Sequence, residues 1–298
     1  MLALRQSELV AGAIAAGRPE NGAGAVSVEF VVVETAGDRQ TDRPIGSIAG
    51  QGVFVKEVEQ ALLDERADLA VHSAKDLPSL PGPDGLEITA VPRRADPRDA
   101  LVGRPLSALG PGARVATGAP RRRAQLAWLR PDLRFEELRG NISSRLSKVP
   151  EDGAVVVAYA ALERLGMSEL ACEVLSLSTM MPQVGQGILA VQCRVGDTAT
   201  AEMLRPIDDA DSHRCLDAER AFLGELGGGC DLPVGAHAEV ATDGAVELRG
   251  LVASPDGLVM LRRALRGEDG KEVGRSLARD ILDNCGGSEI LSGTAGAR

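Results

Sequence analysis

The chain reads as an α/β protein followed by a smaller α+β module, and three observations predict this. Short apolar runs alternate with helical patterns through the first two thirds of the 298 residues. The last third changes to three strand patterns separated by sharp turns. The length is enough for two or three separately cored domains.

In order, Val26–Val33 reads as a strand. Phe54–Glu65 reads as a helix, with Val55, Val58, Ala61 and Leu62 on one face. Leu69–Val71 and Leu86–Val91 are short strands. Ala113–Ala116 is a strand leading through Thr117-Gly118-Ala119-Pro120 into a helix from Arg121 to about Arg130. Pro120 suits a first helical turn, where its missing N–H is no loss. Leu133–Leu138 is a strand, Asn141 caps a helix through Lys148, and Ala154–Tyr159 is a strand followed by helix to about Leu165. Such β–α alternation implies parallel sheets flanked by helices. Beyond a helix at Ser212–Leu226, the strands are Ala236–Ala241, Val246–Ala253 and Val259–Arg266, with turns at Asp243-Gly244 and Asp256-Gly257. A helix at about Lys271–Asn284 closes this antiparallel module, and Ser292–Arg298 reads as frayed. Pro92–Pro97 and Pro182–Gly187 read as connections between domains.

Composition excludes several functions. Aromatic residues are 2% of the chain, too few for stacking platforms on single-stranded nucleic acid. A net charge of −10 argues against a general polyanion binder. No apolar run approaches a membrane-spanning length, and Val155–Ala161 is far too short. Five cysteines without paired spacing fit free thiols, and the amino-terminal segment lacks the pattern of a signal peptide. Together these lead us to expect a cytoplasmic protein. His72, His213 and His237 show no metal-ligand spacing, so no metal is expected.

Three segments carry chemistry. His72-Ser73-Ala74-Lys75-Asp76 crowds a hydroxyl, an ammonium and a carboxylate at the expected carboxyl end of a buried strand, where open α/β sheets bind ligands. Taken alone it reads equally well as a solvated loop. Arg121-Arg122-Arg123 sits on a first helical turn against the helix dipole, a cost offset if an anion docks there. Arg139 and Arg145 flank another strand-to-helix junction, Arg5 follows the first short apolar run, and Arg164 lies in a similar region. Guanidinium groups at strand ends suit a carboxylate-bearing ligand. On its own, Arg121–Arg123 also reads as a solvated helix face with one of the three facing water. Cys230 stands in a glycine loop, Gly227-Gly228-Gly229-Cys230, and is presented there rather than packed. A covalent attachment point fits better than a nucleophile paired with His237. Cys172, Cys193, Cys215 and Cys285 read as small buried hydrophobes.

In chain order, Arg5-Gln6-Ser7, Phe54-Val55-Lys56-Glu57, His72–Asp76, Asp96-Pro97-Arg98-Asp99, Arg121-Arg122, Arg139-Gly140-Asn141 with Arg145, Val184-Gly185-Gln186-Gly187, Ala218-Glu219-Arg220 and Gly228-Gly229-Cys230 resemble the porphobilinogen deaminase (hydroxymethylbilane synthase) family. The resemblance implies two α/β domains like those of bacterial ligand-binding proteins, at 1–91 plus 188–205 and at 96–182. A third, α+β domain with a three-stranded antiparallel sheet would span 210–298. It also implies a transferase that adds four porphobilinogen units, with loss of ammonia, to a dipyrromethane cofactor held by Cys230 through a thioether. Asp76 matches the catalytic carboxylate that stabilises the azafulvene cation formed as ammonia leaves. Lys75, Thr117, Arg121, Arg122, Arg139 and Ser7 match cofactor contacts. Arg5, Arg145, Arg164, Phe54 and Gln186 match the substrate pocket, whose ligand carries acetate and propionate groups. A monomer without nucleic-acid or membrane partners is implied as well.

Three departures stand out. Ser47 and Gln51 replace lysines common in the family, Ala119 replaces a serine that helps hold a cofactor carboxylate, and Leu4 replaces a threonine before Arg5. They leave two alternatives open: a paralogue acting on a different pyrrole or making a shorter oligomer, and a non-catalytic binder of small anions.

Overall fold

The computed structural model describes residues 2–17, 26–34, 55–79, 83–228 and 232–296. In chain order its elements are α1 (Leu2–Ala16), α2 (Lys56–Leu63), β1 (Leu69–Ser73), β2 (Leu86–Ala90), β3 (Asp99–Gly103), β4 (Arg114–Ala116), α3 (Pro120–Leu129), β5 (Arg134–Glu136), α4 (Ile142–Leu146), β6 (Ala154–Ala158), α5 (Tyr159–Leu165), β7 (Glu173–Val174), β8 (Leu189–Arg194), α6 (Thr198–Leu204), α7 (Ala210–Glu225), β9 (Val234–Val240), β10 (Val246–Ala253), β11 (Met260–Gly267), α8 (Gly270–Arg279) and α9 (Gly287–Gly296). The chain divides into two compact units, Met1–Arg94 with Ile188–His213, and Ala95–Gly187 with Arg214–Arg298. The chain changes unit at 94/95, 187/188 and 213/214, and the first two changes fall in or at the end of the two proline-containing stretches noted in the sequence.

In the first unit, β8 lies between β1 and β2 and pairs antiparallel with both. Helix α1 buries Gln6, Val10 and Ile14, spaced four apart and so on one face. Val10 and Ile14 join Ala90, Leu189, Val191 and Leu204 in this unit's core. The sequence had not marked α1 or β8, and it had marked Val26–Val33 as a strand. Residues 26–34 form no regular element, and Val32 is 91% exposed. Its β-branched residues favour a strand, but a strand also needs a ladder partner, and none pairs with this segment among the described residues.

The second unit has a five-stranded mixed sheet in the order β5-β4-β6-β3-β7. Only β5, β4 and β6 run parallel; β3 is antiparallel to both β6 and β7. The expected parallel sheets are therefore confined to three strands. The units exchange chain between β2 and β3, between β7 and β8 and again within α7, so helix-linked crossovers do not set every strand direction. β6 is buried at all five positions, as its Ala-Val-Val-Val-Ala sequence suits a central strand covered on both faces.

Within the same unit, β9, β10 and β11 form the antiparallel sheet foreseen from the sequence, with β10 in the middle. Phe222 of α7 fills its core with Leu248, Val252, Val273 and Leu277; complete burial of one such side chain contributes roughly 1.5–3 kcal/mol. Gly250 makes this possible, because a Cβ there would meet the Phe222 ring at 2.7 Å. The closing helix ends at Arg279, runs through a wide turn at Asp280–Asn284, and resumes as α9. The segment expected to be frayed from Ser292 is thus helical through Gly296. Asp269 caps α8 by accepting from the Glu272 amide at 3.1 Å.

Candidate functional site

Asp76 sits where the sequence placed it, directly after a strand. β1 ends at Ser73, a single tight turn spans Ala74–Asp76, and the chain leaves in an extended conformation before Pro78. Asp76 is exposed and Lys75 half-buried, between the buried Ala74 and Leu77. Strand alternation turns His72 inward, where its Nε2 lies 3.1 Å from Gln192 Oε1, and Gln192 Nε2 donates to Glu59 at 3.3 Å. Burial lowers the His72 pKa to about 4, only partly offset by the Gln192 hydrogen bond, so the ring is neutral at pH 7. His72 is thus a core group that anchors the strand beneath Asp76. Gln6 donates to the Ser73 hydroxyl at 2.8 Å. Arg5 lies in α1, not at a strand end as its preceding apolar run suggested. It is about half exposed and pairs with Glu8 one turn along at 3.1 Å. Ser7, also in α1, donates back to the Ala3 carbonyl at 3.2 Å.

In the second unit, β4 leads through Thr117-Gly118-Ala119 into α3, with Pro120 in its first turn. A cavity of about 360 Å³ opens at this junction, lined by Thr117, Gly118, Ala119, Pro120, Arg123, Glu137, Pro255 and Asp256. Thr117 is buried, and its oxygen accepts from the Ala119 amide at 3.2 Å, which leaves the hydroxyl proton to donate. Of the arginine run, Arg123 is exposed and lines the cavity, while Arg121 and Arg122 are buried. Arg121 donates to Asp99 at 2.9 Å and to the Met181 carbonyl. Arg122 donates to Asp99 at 2.7 and 3.1 Å and to the Val156 carbonyl at 3.0 Å. In this structure these two guanidinium groups answer an internal carboxylate, and neither contributes to the cavity wall. Burial alone would raise the Asp99 pKa, but Arg121 and Arg122 overcome it and hold the carboxyl well below the usual carboxylate range. Burial also pulls Arg121 downward. A guanidinium nevertheless stays charged in proteins, so the cluster is ionised.

The remaining candidates also lie in this unit. Asn141 accepts from the Ser144 amide at 2.9 Å and caps α4, as its position in the sequence implied. Arg145 donates to the Gly140 carbonyl at 2.7 Å, and Arg139 pairs with Glu137 at 2.8 Å. With side-chain exposures of 35% and 58%, that pair contributes only about 0.2–1 kcal/mol, so a ligand carboxylate can replace Glu137. Arg164 is partly buried and donates to the Gly187 carbonyl at 2.7 Å, and burial lowers its pKa. Gln186 is wholly buried and donates to Pro97 at 2.7 Å and to Asp99 at 2.9 Å. Phe54, Cys230, Ser47 and Gln51 lie outside the described residues.

Within the second unit, the Arg123 guanidinium and the Thr117 hydroxyl at the cavity are donors of the kind that suit a carboxylate. Among the described residues no cluster of metal ligands occurs, and no helix is long and apolar enough to cross a membrane. Of the cysteines expected in cores, Cys193 and Cys215 are buried, Cys285 is partly so, and Cys172 is exposed. Cys172 follows a tight turn and precedes the two-residue edge strand β7, where an apolar pattern does not ensure cover. Asp99 and Glu219 were quoted within motifs but given no role by the sequence. Glu219 is fully buried and accepts from the Gly185 and Ala238 amides at 2.7 and 2.8 Å. The available signal for Asp99 was its place directly before the apolar run Ala100-Leu101-Val102; Glu219, between Asp217 and Arg220, carried none.

A family model described as porphobilinogen deaminase, dipyromethane cofactor binding domain, matches residues 1–202. A second, described as porphobilinogen deaminase, C-terminal domain, matches residues 213–283. Among curated relatives, the porphobilinogen deaminase of Roseiflexus castenholzii is 43% identical over 298 residues, covering 98% of this chain and 96% of that protein. That of Syntrophobacter fumaroxidans is 41% identical over 298 residues, covering 98% and 94%. That of Acidothermus cellulolyticus is 44% identical over 301 residues, covering 97% and 88%. Two family matches that together span most of the chain, and relatives above 40% identical over nearly the whole of it, lead to one conclusion: the chain belongs to the porphobilinogen deaminase family.

Proposed function

We propose that this chain adds four porphobilinogen units head to tail, with release of ammonia, to a dipyrromethane that Cys230 holds through its sulfur, giving the linear tetrapyrrole hydroxymethylbilane. The near end-to-end family match carries this reading. When bound, the dipyrromethane supplies the pyrrole α-carbon onto which the chain grows.

The protein's own residues do the rest. Asp76 stabilises the cation left when ammonia departs from porphobilinogen and takes up the proton displaced from the attacked carbon. Exposure on a tight turn supports that role, because it keeps the carboxylate solvated and within reach of substrate. Lys75, Ser7, Thr117, Arg139, Arg121 and Arg122 serve the cofactor's carboxylates. Arg5, Arg145, Arg164 and Gln186 serve those of the incoming pyrrole, and Phe54 is the aromatic beside its pocket. A charge-assisted bond of this kind contributes about 1.5–3 kcal/mol. Ala119 removes one hydroxyl from the set, a loss of about 0.5–1.5 kcal/mol that a covalent tether tolerates. A separate third domain at 210–298 belongs to the same reading, supported by the core that α7, α8 and the β9-β10-β11 sheet build among themselves. So do a cytoplasmic location and a monomeric state.

The test is the intact mass of the purified protein before and after incubation with porphobilinogen. A resting increment equal to two porphobilinogens less two ammonias, absent in Cys230→Ser, and further equal steps on incubation are expected. A mass that never changes would overturn the reading and favour the anion-binding alternative.

A further inference from the structure

The motif Asp96-Pro97-Arg98-Asp99 has no part in the chemistry described so far. Its first aspartate acts locally. Asp96 holds Arg98 two residues on, at 2.5 to 3.0 Å through the guanidinium and 2.9 Å through the amide. Asp99 opens β3, is wholly buried, and accepts four hydrogen bonds from three residues. Arg121 and Arg122 come from the first turn of α3, and Gln186 comes from the segment before β8.

The stoichiometry is uneven. Asp99 is the only carboxylate bonded to either arginine among the described residues, so the cluster holds two positive charges against one negative. A buried surplus charge is costly unless another partner answers it. Of five N–H donors on each guanidinium, Arg121 has spent two and Arg122 three. Donors remain on both, at a helix start whose dipole also favours an anion. The Thr117-Gly118-Ala119 wall of the cavity runs directly into that turn.

We propose that Asp99 is a positioning residue for the carboxylate-binding site: it orients Arg121 and Arg122, so that their unspent N–H groups and the cavity wall ahead of α3 are set before ligand arrives. This rests on the functional reading above. Asp99 touches neither substrate nor cofactor, and its effect is preorganisation of groups that do.

Cofactor loading tests it: cofactor-free wild type, Asp99→Asn and the control Leu101→Ala are incubated with porphobilinogen, and the dipyrromethane mass increment is followed with time. Leu101 is a fully buried apolar residue of the same strand, so its truncation lowers the melting temperature without touching the charge cluster. Asp99→Asn is expected to load about tenfold more slowly, the equivalent of one lost charge-assisted bond. Leu101→Ala, incubated well below its melting temperature, is expected to load within about twofold of wild type. Equal loading in all three, with melting temperature alone reduced, would assign Asp99 a purely structural role and overturn the proposal. If Asp99→Asn does not accumulate as folded protein, Asp99→Glu keeps the charge and displaces it by one methylene; loading slowed about threefold then supports the proposal, and unchanged loading overturns it. A wild type that never gains the increment would instead strike the functional reading.

Discussion

Gln6 and Ser73 are joined side chain to side chain at 2.8 Å, although 67 residues separate them. The bond ties α1, which carries Arg5 and Ser7, to the last residue of β1, which leads straight into Lys75 and Asp76. Gln6 is 5% exposed, so Ser73→Ala strands a buried amide without its acceptor. The expected cost is about 1–3 kcal/mol. Urea unfolding of wild type and Ser73→Ala measures it, with Ser73→Thr retaining most of the stability. Equal midpoints for wild type and Ser73→Ala would show that the bond contributes nothing.

Asp76→Asn changes one charge on an exposed turn whose backbone is held by neighbouring residues. Folding and the Cys230 adduct are expected to survive. An ion pair at about 4 Å with an effective dielectric near 20 is worth roughly 4 kcal/mol, so turnover should fall on the order of a thousandfold. A discontinuous assay of tetrapyrrole release, alongside intact mass and melting temperature, reads all three quantities. Turnover within tenfold of wild type would remove Asp76 from the mechanism.

His72 makes stability depend on pH in a definite direction. Its folded pKa is about 4, against 6.5 for an unburied ring. Between those values the unfolded chain binds a proton that the folded chain does not, so stability falls as pH drops from about 6.5 toward 4 and is unaffected by this group above 6.5. The full effect is about 3 kcal/mol, at 1.36 kcal/mol per unit. Carboxylates titrate nearby, so the quantity to compare is the change in unfolding free energy between pH 7 and pH 5 in wild type and His72→Gln. The wild type should lose about 2 kcal/mol more over that interval. Parallel pH profiles would count against a neutral buried His72.

Gly187 has φ +86°, and a Cβ there would lie 2.5 Å from the Ala95 carbonyl oxygen. Gly187→Ala therefore combines a left-handed penalty of about 1–2 kcal/mol with a backbone collision that a side-chain rotation cannot relieve. A melting temperature lower by at least about 4 °C is expected by calorimetry, at roughly 2–4 °C per kcal/mol. An unchanged melting temperature would mean that the segment shifts freely.

Local features of this chain were legible in its residues because their causes lie within a few positions. Pro120 marks the first turn of α3, Asn141 caps α4, and Asp243-Gly244 and Asp256-Gly257 turn between strands with Gly244 and Gly257 in the left-handed region. The position of the candidate residues was legible to the same extent: the Lys75–Asp76 turn after β1 and the arginines in the first turn of α3 stand where apolar runs and breakers placed them. Val26–Val33 misled because strand propensity says nothing of a pairing partner, and α1 was missed because its apolar spacing begins within the first few residues.

Sequence alone thus determined the family, the alternation of elements, the antiparallel C-terminal sheet and the places of the acidic and basic residues along the elements. Tertiary structure alone decided what those residues face. The run Arg121-Arg122-Arg123 is uniform as text, yet two of its members turn inward to Asp99, 22 and 23 positions away, and one turns to the cavity. His72 meets Gln192 across 120 positions, and strand direction in the mixed sheet depends on where the chain changes unit. Backbone preferences act between neighbours and can be read from them. A buried charge or imidazole must find its partner wherever the folded chain brings one, and that partner has no fixed distance along the sequence.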